Sequence, residues 1–162
     1  MKRALLLTAF FLFFAGTTLH AQSKMPSNQF GLGFFLEPGT GGLSGTYAIS
    51  HNIHVGTYLS LGVGSVNGNS SPTTFLFAPF FRILFPGVVN PFVEGNVQVQ
   101  GSGVAGESQT DVGIGFGGGI AYGISQNFDV DFDLGLIGVG FTHGGSFSFG
   151  FSNVGVEGKW FF

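Results

Sequence analysis

From Thr110 to Ile124 the chain alternates almost without a break. Val112, Ile114, Phe116, Ile120, Tyr122 and Ile124 stand against Asp111, Gly113, Gly115, Gly117, Gly119, Ala121 and Gly123. An extended strand sends successive side chains to opposite faces, so this period of two predicts a strand with one apolar face and one polar or glycine-lined face. The pattern recurs along the chain. It predicts strands at about Asn28–Glu37, Gly42–Ser50, Ile53–Val66, Thr74–Phe85, Val93–Gln100, Thr110–Ile124, from Phe128 onward, and at Asn153–Phe162. Breaks rich in Gly, Pro, Asn and Ser separate them, such as Pro38-Gly39-Thr40-Gly41, His51-Asn52 and Ser125-Gln126-Asn127. Pro79 has no N–H to give a ladder, so a bulge or a rim position is expected there.

Such strands need somewhere to put their apolar faces. The 162 residues include 22 Phe and 30 Gly but only 8% charged residues, too few to keep a globular surface of this kind in water. Beyond the N-terminus there is no run of about 18 uncharged apolar residues, so membrane helices are not expected. Lys2-Arg3, the apolar run Ala4 to Ala15 and the small residues up to Ala21 have the three regions of a secretory signal peptide. Residues 1–21 are read as that signal, cleaved after Ala21, and residues 22–162 as one domain, with Ser23 to Gln29 a short polar lead. The lack of cysteine leaves no lipoprotein anchor and no disulfide. Past the signal, Lys24, Arg82 and Lys159 face eight acids, a formal charge of −5, which excludes a nucleic-acid binder.

Eight strands with an apolar outer face predict an all-β, eight-stranded antiparallel up-and-down transmembrane β-barrel. Eight is the smallest usual number for such a barrel, and about 9–11 residues suffice for a tilted crossing. Closure is required because an open sheet edge in hydrocarbon leaves backbone groups unpaired at several kcal/mol each. The first strand is therefore expected beside the last. Many inward positions are Gly, which suggests water in part of the lumen.

The last strand reads N-V-G-V-E-G-K-W-F-F and ends on Trp160, Phe161 and Phe162. With the strand pattern, Trp160 and Phe162 make the chain resemble the small eight-stranded outer-membrane β-barrel proteins of Gram-negative bacteria, whose last strand ends in an aromatic residue. The resemblance implies a place in the outer membrane after signal-directed export, contact with outer-membrane lipid, and insertion by the barrel-assembly machinery. It also implies both termini in the periplasm and a structural, surface-interaction or small-solute role. No cofactor is implied, and any surface partner is unidentified.

Candidate site residues lie on the polar faces. Arg82 and Glu94 are symmetric about the Pro86 to Pro91 turn, so a regular hairpin sets them opposite each other in the lumen. Mirror symmetry about Gly144 sets Lys159 opposite Asp129 and Glu157 opposite Asp131. With Asp133 these form a lumen charge network, in which Lys159 is expected to neutralise part of the acidic ladder. Asp129-x-Asp131-x-Asp133 lacks the glycine and the bidentate Glu of a calcium loop, and Gly113-x-Gly115-x-x-Gly118 sits in a strand with no helix after it, so neither motif carries its usual ligand.

Two further features leave alternatives open. Ile137, Val139, Phe141, Phe147, Phe149 and Phe151 share parity with the inward Asp and Lys positions. A regular hairpin aims them inward as an apolar vestibule for a hydrophobic ligand, whereas β-bulges near Gly135 and Asn153, the favoured reading, turn them to lipid. His143, Ser146 and Glu157 match in type the residues of barrels that deacylate lipid A, but the spacing departs from a His-x-Ser-Asn arrangement. The preferred functional reading is a non-enzymatic barrel with a structural or surface-interaction role. The alternatives are a conduit for a small hydrophobic ligand and a lipid A deacylase-like hydrolase.

Overall fold

The computed structural model describes residues 25–37, 40–63, 73–87, 89–104, 107–141, 147–150 and 154–162. Among the described residues there are nine strands: β1 (Gln29–Glu37), β2 (Thr40–Ala48), β3 (Ile53–Val63), β4 (Thr73–Leu84), β5 (Asn90–Val104), β6 (Glu107–Gly123), β7 (Phe128–Phe141), β8 (Phe147–Gly150) and β9 (Val154–Phe161). Each pairs antiparallel with its neighbour from β1 through β7. β8 and β9 lie end to end along β7 and so form one stave. β9 then pairs with β1, Phe34 opposite Gly158, which closes a barrel of eight staves. Ring closure gives strands on both sides the partners that a hydrocarbon surrounding would deny them.

The alternation sorts side chains as the period of two requires. Leu32, Phe34, Leu59, Phe77, Phe116 and Trp160 are among the many large apolar groups exposed on the outer wall. The inner face holds Arg82, Lys159, His54, Asp131 and Glu157, all at most 1% exposed. Tight turns join the strands at the end where both described termini lie, here the turn end. In one of them the Ser50 hydroxyl accepts from the Asn52 and Ile53 N–H groups, at 3.3 and 3.1 Å.

Pro79 departs from expectation. It sits within β4, and the register to β5 is the same on either side of it, with Phe77 opposite Val99 and Phe80 opposite Asn96. There is no bulge and no rim. The pairing to β5 lapses only at Ala78 and Pro79, where the missing N–H cannot contribute, and the ring faces outward beside Thr57.

The irregularity is instead in β7. Phe116 pairs with Ile137 but Gly117 pairs with Gly135, so Leu136 is an extra residue. The inserted residue inverts the parity beyond it. Ile137 and Phe141 stand on the outer wall, 42% and 58% exposed, and Val139 lies opposite the outward Ile114. This part of the chain therefore makes no apolar vestibule. Phe151 and the expected bulge at Asn153 lie outside the described residues, as do the side chains of Phe147 and Phe149.

Inward glycines are not simply water-filled space. A Cβ built on Gly56 would lie 2.5 Å from Phe80 Cζ, one on Gly119 2.6 Å from Phe92 Cζ, and one on Gly31 2.8 Å from Phe161 Cε1. Each ring occupies the room that a neighbouring glycine leaves. Gly56→Ala is therefore expected to destabilise the barrel by about 1–3 kcal/mol in urea unfolding. Gly45→Ala on the outer wall, where the nearest atom to a new Cβ is Phe30 Cζ at 3.8 Å, should change it by no more than about 0.5 kcal/mol.

Candidate functional site

Three layers fill the lumen. The layer nearest the turn end is apolar, with Leu84, Phe92 and Ala121 buried around Met25. Met25 comes from the segment before β1. Asn28, in the left-handed region at φ 55°, turns the chain from β1, and its N–H donates to the Ala48 carbonyl at 2.6 Å. The Met25 carbonyl meets His51 Nδ1. From Met25 onward, what the sequence presents as a polar lead is thus a strap across the turn-end mouth.

The middle layer is ionic. Arg82 projects from β4, fully buried, and its guanidinium lies over the Phe92 ring at 3.9 Å. It donates to Glu94 Oε2 from Nε at 2.9 Å and from Nη2 at 2.7 Å. It also pairs with Asp131, with Asp133 at 3.3 Å and with Glu157 at 3.5 Å, and donates to the Tyr58 hydroxyl at 2.8 Å. One side chain thereby joins β3, β4, β5, β7 and β9. The planar fork of five donors makes this reach available to Arg and not to Lys.

Lys159 supplies the second cation. The register does set it opposite Asp129, yet its ammonium pairs with Asp131 and, at 3.5 Å, with Glu157. Asp129 Oδ2, Asp131 Oδ1, Glu157 Oε1 and both ring nitrogens of His54 have no hydrogen-bond partner among the described residues. Two cations thus face five carboxylates, counting Glu94 and Asp133. The buried Glu157 is committed to these ion pairs inside the lumen, while His143 and Ser146 lie outside the described residues. Among the described residues no group of three His, Asp or Glu side chains has the arrangement to hold a metal ion.

Above the ions, Tyr58 stacks on Phe80 at 4.7 Å and meets Phe35 edge-on at 5.1 Å. The lumen then widens into a cavity of about 290 Å³ toward the loop end, lined in part by Ser60, Glu94, Asn96, Gln98 and Asp133. Tyr58, His54, Phe80 and Phe92 share the polar parity of their strands, so their inward direction was readable; their convergence on Arg82 was not. Nothing in the sequence marks Met25.

At the turn end Trp160 and Phe162 lie on the outer wall, Trp160 near Phe128 at 6.0 Å and Phe162 edge-on to Phe30 at 5.7 Å, while Phe161 is buried in the lumen. No protein-family model and no curated protein matches the chain. Among solved structures, Neisserial surface protein A superposes with a TM-score of 0.60 at 11% identity, over 84% of this chain and 98% of that one. The N-terminal β-barrel domain of Pseudomonas aeruginosa OprF gives 0.58 at 14% identity, over 84% and 98%. The fold is that of the small outer-membrane β-barrels. At these identities the likeness concerns the outer-membrane barrel fold alone, so the ionic layer has to be understood from its own geometry.

Arg82→Met would remove the cation paired to Glu94 and Asp133 and leave Asp131 and Glu157 buried with Lys159 alone. Stability in urea refolding is expected to fall by about 3–5 kcal/mol, and adding Glu94→Gln should return part of the loss. A variant as stable as the parent would show that something other than Arg82 holds the carboxylates.

Proposed function

We propose that the protein is a non-enzymatic integral outer-membrane barrel whose lumen is sealed, and that it acts through its outward surface. The observation that carries this reading is the fully buried Arg82, which spans the lumen to carboxylates on β5, β7 and β9. An eight-stranded barrel is just wide enough to be filled by side chains. Here Phe80, Phe92 and Phe161 fill it around the ions, and the Met25 strap lies beneath. Solutes therefore have no route of their own size through the middle.

The outer wall supports the location, because its continuous display of Phe, Leu, Ile and Val suits acyl chains and not water. In this reading the turn end faces the periplasm and the loop end faces outward, since outer-membrane barrels carry short turns inside and longer loops outside. The role left to such a barrel is structural or interactive at the outer surface. A hydrophobic conduit finds no support among the described lumen residues, where the Phe80, Phe92 and Phe161 rings beside the ions are closed against glycine.

Planar-bilayer recording tests the reading. The chain from Gln22, refolded and inserted, is expected to give no sustained channel at moderate voltage, and Arg82→Ser combined with Met25→Ser is expected to raise ion leakage if heat-modifiable gel migration shows it still folds. Steady single-channel conductance from the parent chain would overturn the sealed-lumen proposal.

A further inference from the structure

We infer that the loop-end cavity binds a neutral polyhydroxylated molecule the size of one sugar ring. The inference deepens the proposal of an outward-acting barrel and rests on it for the direction of access. The room itself is the first support. Lower in the lumen the Phe80, Phe92 and Phe161 rings take the space beside Gly56, Gly119 and Gly31. At the loop end Gly117 and Gly155 line the cavity with no ring among their nearest atoms. A Cβ on Gly117 would meet the Leu134 carbonyl first, at 3.1 Å, and one on Gly155 would meet Glu37 Cγ first, also at 3.1 Å. The resulting cavity of about 290 Å³ lies just below the roughly 300–1,000 Å³ of small-molecule sites, so it suits one ring and not a chain of them.

The wall both donates and accepts. Along β5 the inward Glu94, Asn96, Gln98 and Gln100 form a row up the cavity, successive members about 7 Å apart. Asn96 Nδ2 donates to Glu94 Oε1 at 3.4 Å, and the Asn96 carbonyl accepts from Gln98 Nε2 at 3.1 Å. An amide nitrogen carries two hydrogens, so Asn96 and Gln98 each keep one to give, with the Gln98 carbonyl and the Gln100 amide above them. Ser60 donates to the Gly41 carbonyl at 2.6 Å and keeps lone pairs with which to accept, and Thr40 adds a second hydroxyl to the lining. Beside these groups Leu76, Ala78 and the edge-on pair of Phe35 and Tyr58 rings supply an apolar patch.

Its charges are already answered. Glu94 and Asp133 are paired to Arg82 at 2.7 and 3.3 Å, and Glu37 has a partner of its own. A cation would therefore find no unpaired carboxylate. An anion would find no cation, since Lys24, Arg82 and Lys159, the strong bases after residue 3, are not among the lining residues. An apolar ligand would strip water from the Asn96 and Gln98 N–H groups and put nothing in its place. A hydroxyl donates and accepts at once, so it pairs with either end of each amide, while the C–H face of a sugar ring covers the apolar patch. Hydroxyls spread around one rigid ring also lose little conformational freedom on binding.

Nuclear magnetic resonance titration of the nitrogen-labelled chain from Gln22, refolded in an amine-oxide detergent that carries no sugar, tests this. Glucose, galactose and mannose are the separate probes, with 1,4-diaminobutane and acetate as charged controls. At least one hexose is expected to shift the Asn96 and Gln98 side-chain amide signals to saturation at one site. Gln98→Leu and Gln100→Leu should each weaken that binding by about five- to tenfold, with heat-modifiable migration confirming the fold. Ser108→Ala, exposed on β6 and outside the cavity lining, should leave it unchanged. No saturable shift with any hexose would overturn the inference, as would binding confined to the charged controls, or a hexose affinity equal in the parent and both Gln variants. The methyl glycoside of the bound hexose separates two sources that support the inference equally: retained affinity marks the terminal sugar of a glycan, and lost affinity marks a free sugar. Hexose binding in this pattern by a parent chain that conducts steadily in bilayers would keep the site and discard the sealed lumen, whereas a non-conducting parent that binds no hexose would discard the site alone.

Discussion

Backbone hydrogen bonding around a closed ring is the constraint from which the rest of this structure follows. In a hydrocarbon surrounding, which a wall of Phe, Leu and Ile suits, unpaired N–H and C=O groups would have no water, so each strand there must be paired on both sides. The β1–β9 contact supplies the last pair, and the β6–β7 bulge adjusts parity without opening the ring. Where Pro79 cannot pair, the loss is confined to two residues because the register to β5 resumes at once.

Eight staves then determine how much room there is inside. In so narrow a lumen a ring on one strand fits only if a neighbour is glycine, which explains why inward glycines and inward aromatics occur together at Gly31 and Phe161, Gly56 and Phe80, and Gly119 and Phe92. The same narrowness lets one guanidinium touch carboxylates from three staves. A buried cation without such partners would be costly, and so would these carboxylates without the cation. Arg82 and its acidic partners are best understood as mutually required parts of the wall.

Much of this was legible in the chain before any fold was known. Alternation located the strands, and symmetry about two turns set Arg82 opposite Glu94 and Asp129 opposite Lys159, which are the registers in the structure. Cα partners are not the same as charge partners, however. Lys159 leans to Asp131 because its long stem reaches diagonally toward the position that Arg82 also uses. A regular hairpin would aim Ile137, Val139 and Phe141 inward, and the bulge expected near Gly135 is present with Leu136 as the extra residue, which turns them outward.

The sequence by itself determined which residues form strands, which face of each strand meets apolar surroundings, and which ionisable groups share the interior, because a period of two is a local property of extended backbone. Tertiary structure decided what those inward groups do to one another. The tie of Arg82 to four other staves and the seating of Met25 beneath Phe92 each depend on distances across the ring between residues far apart in the chain. Such distances exist only once the ring has closed.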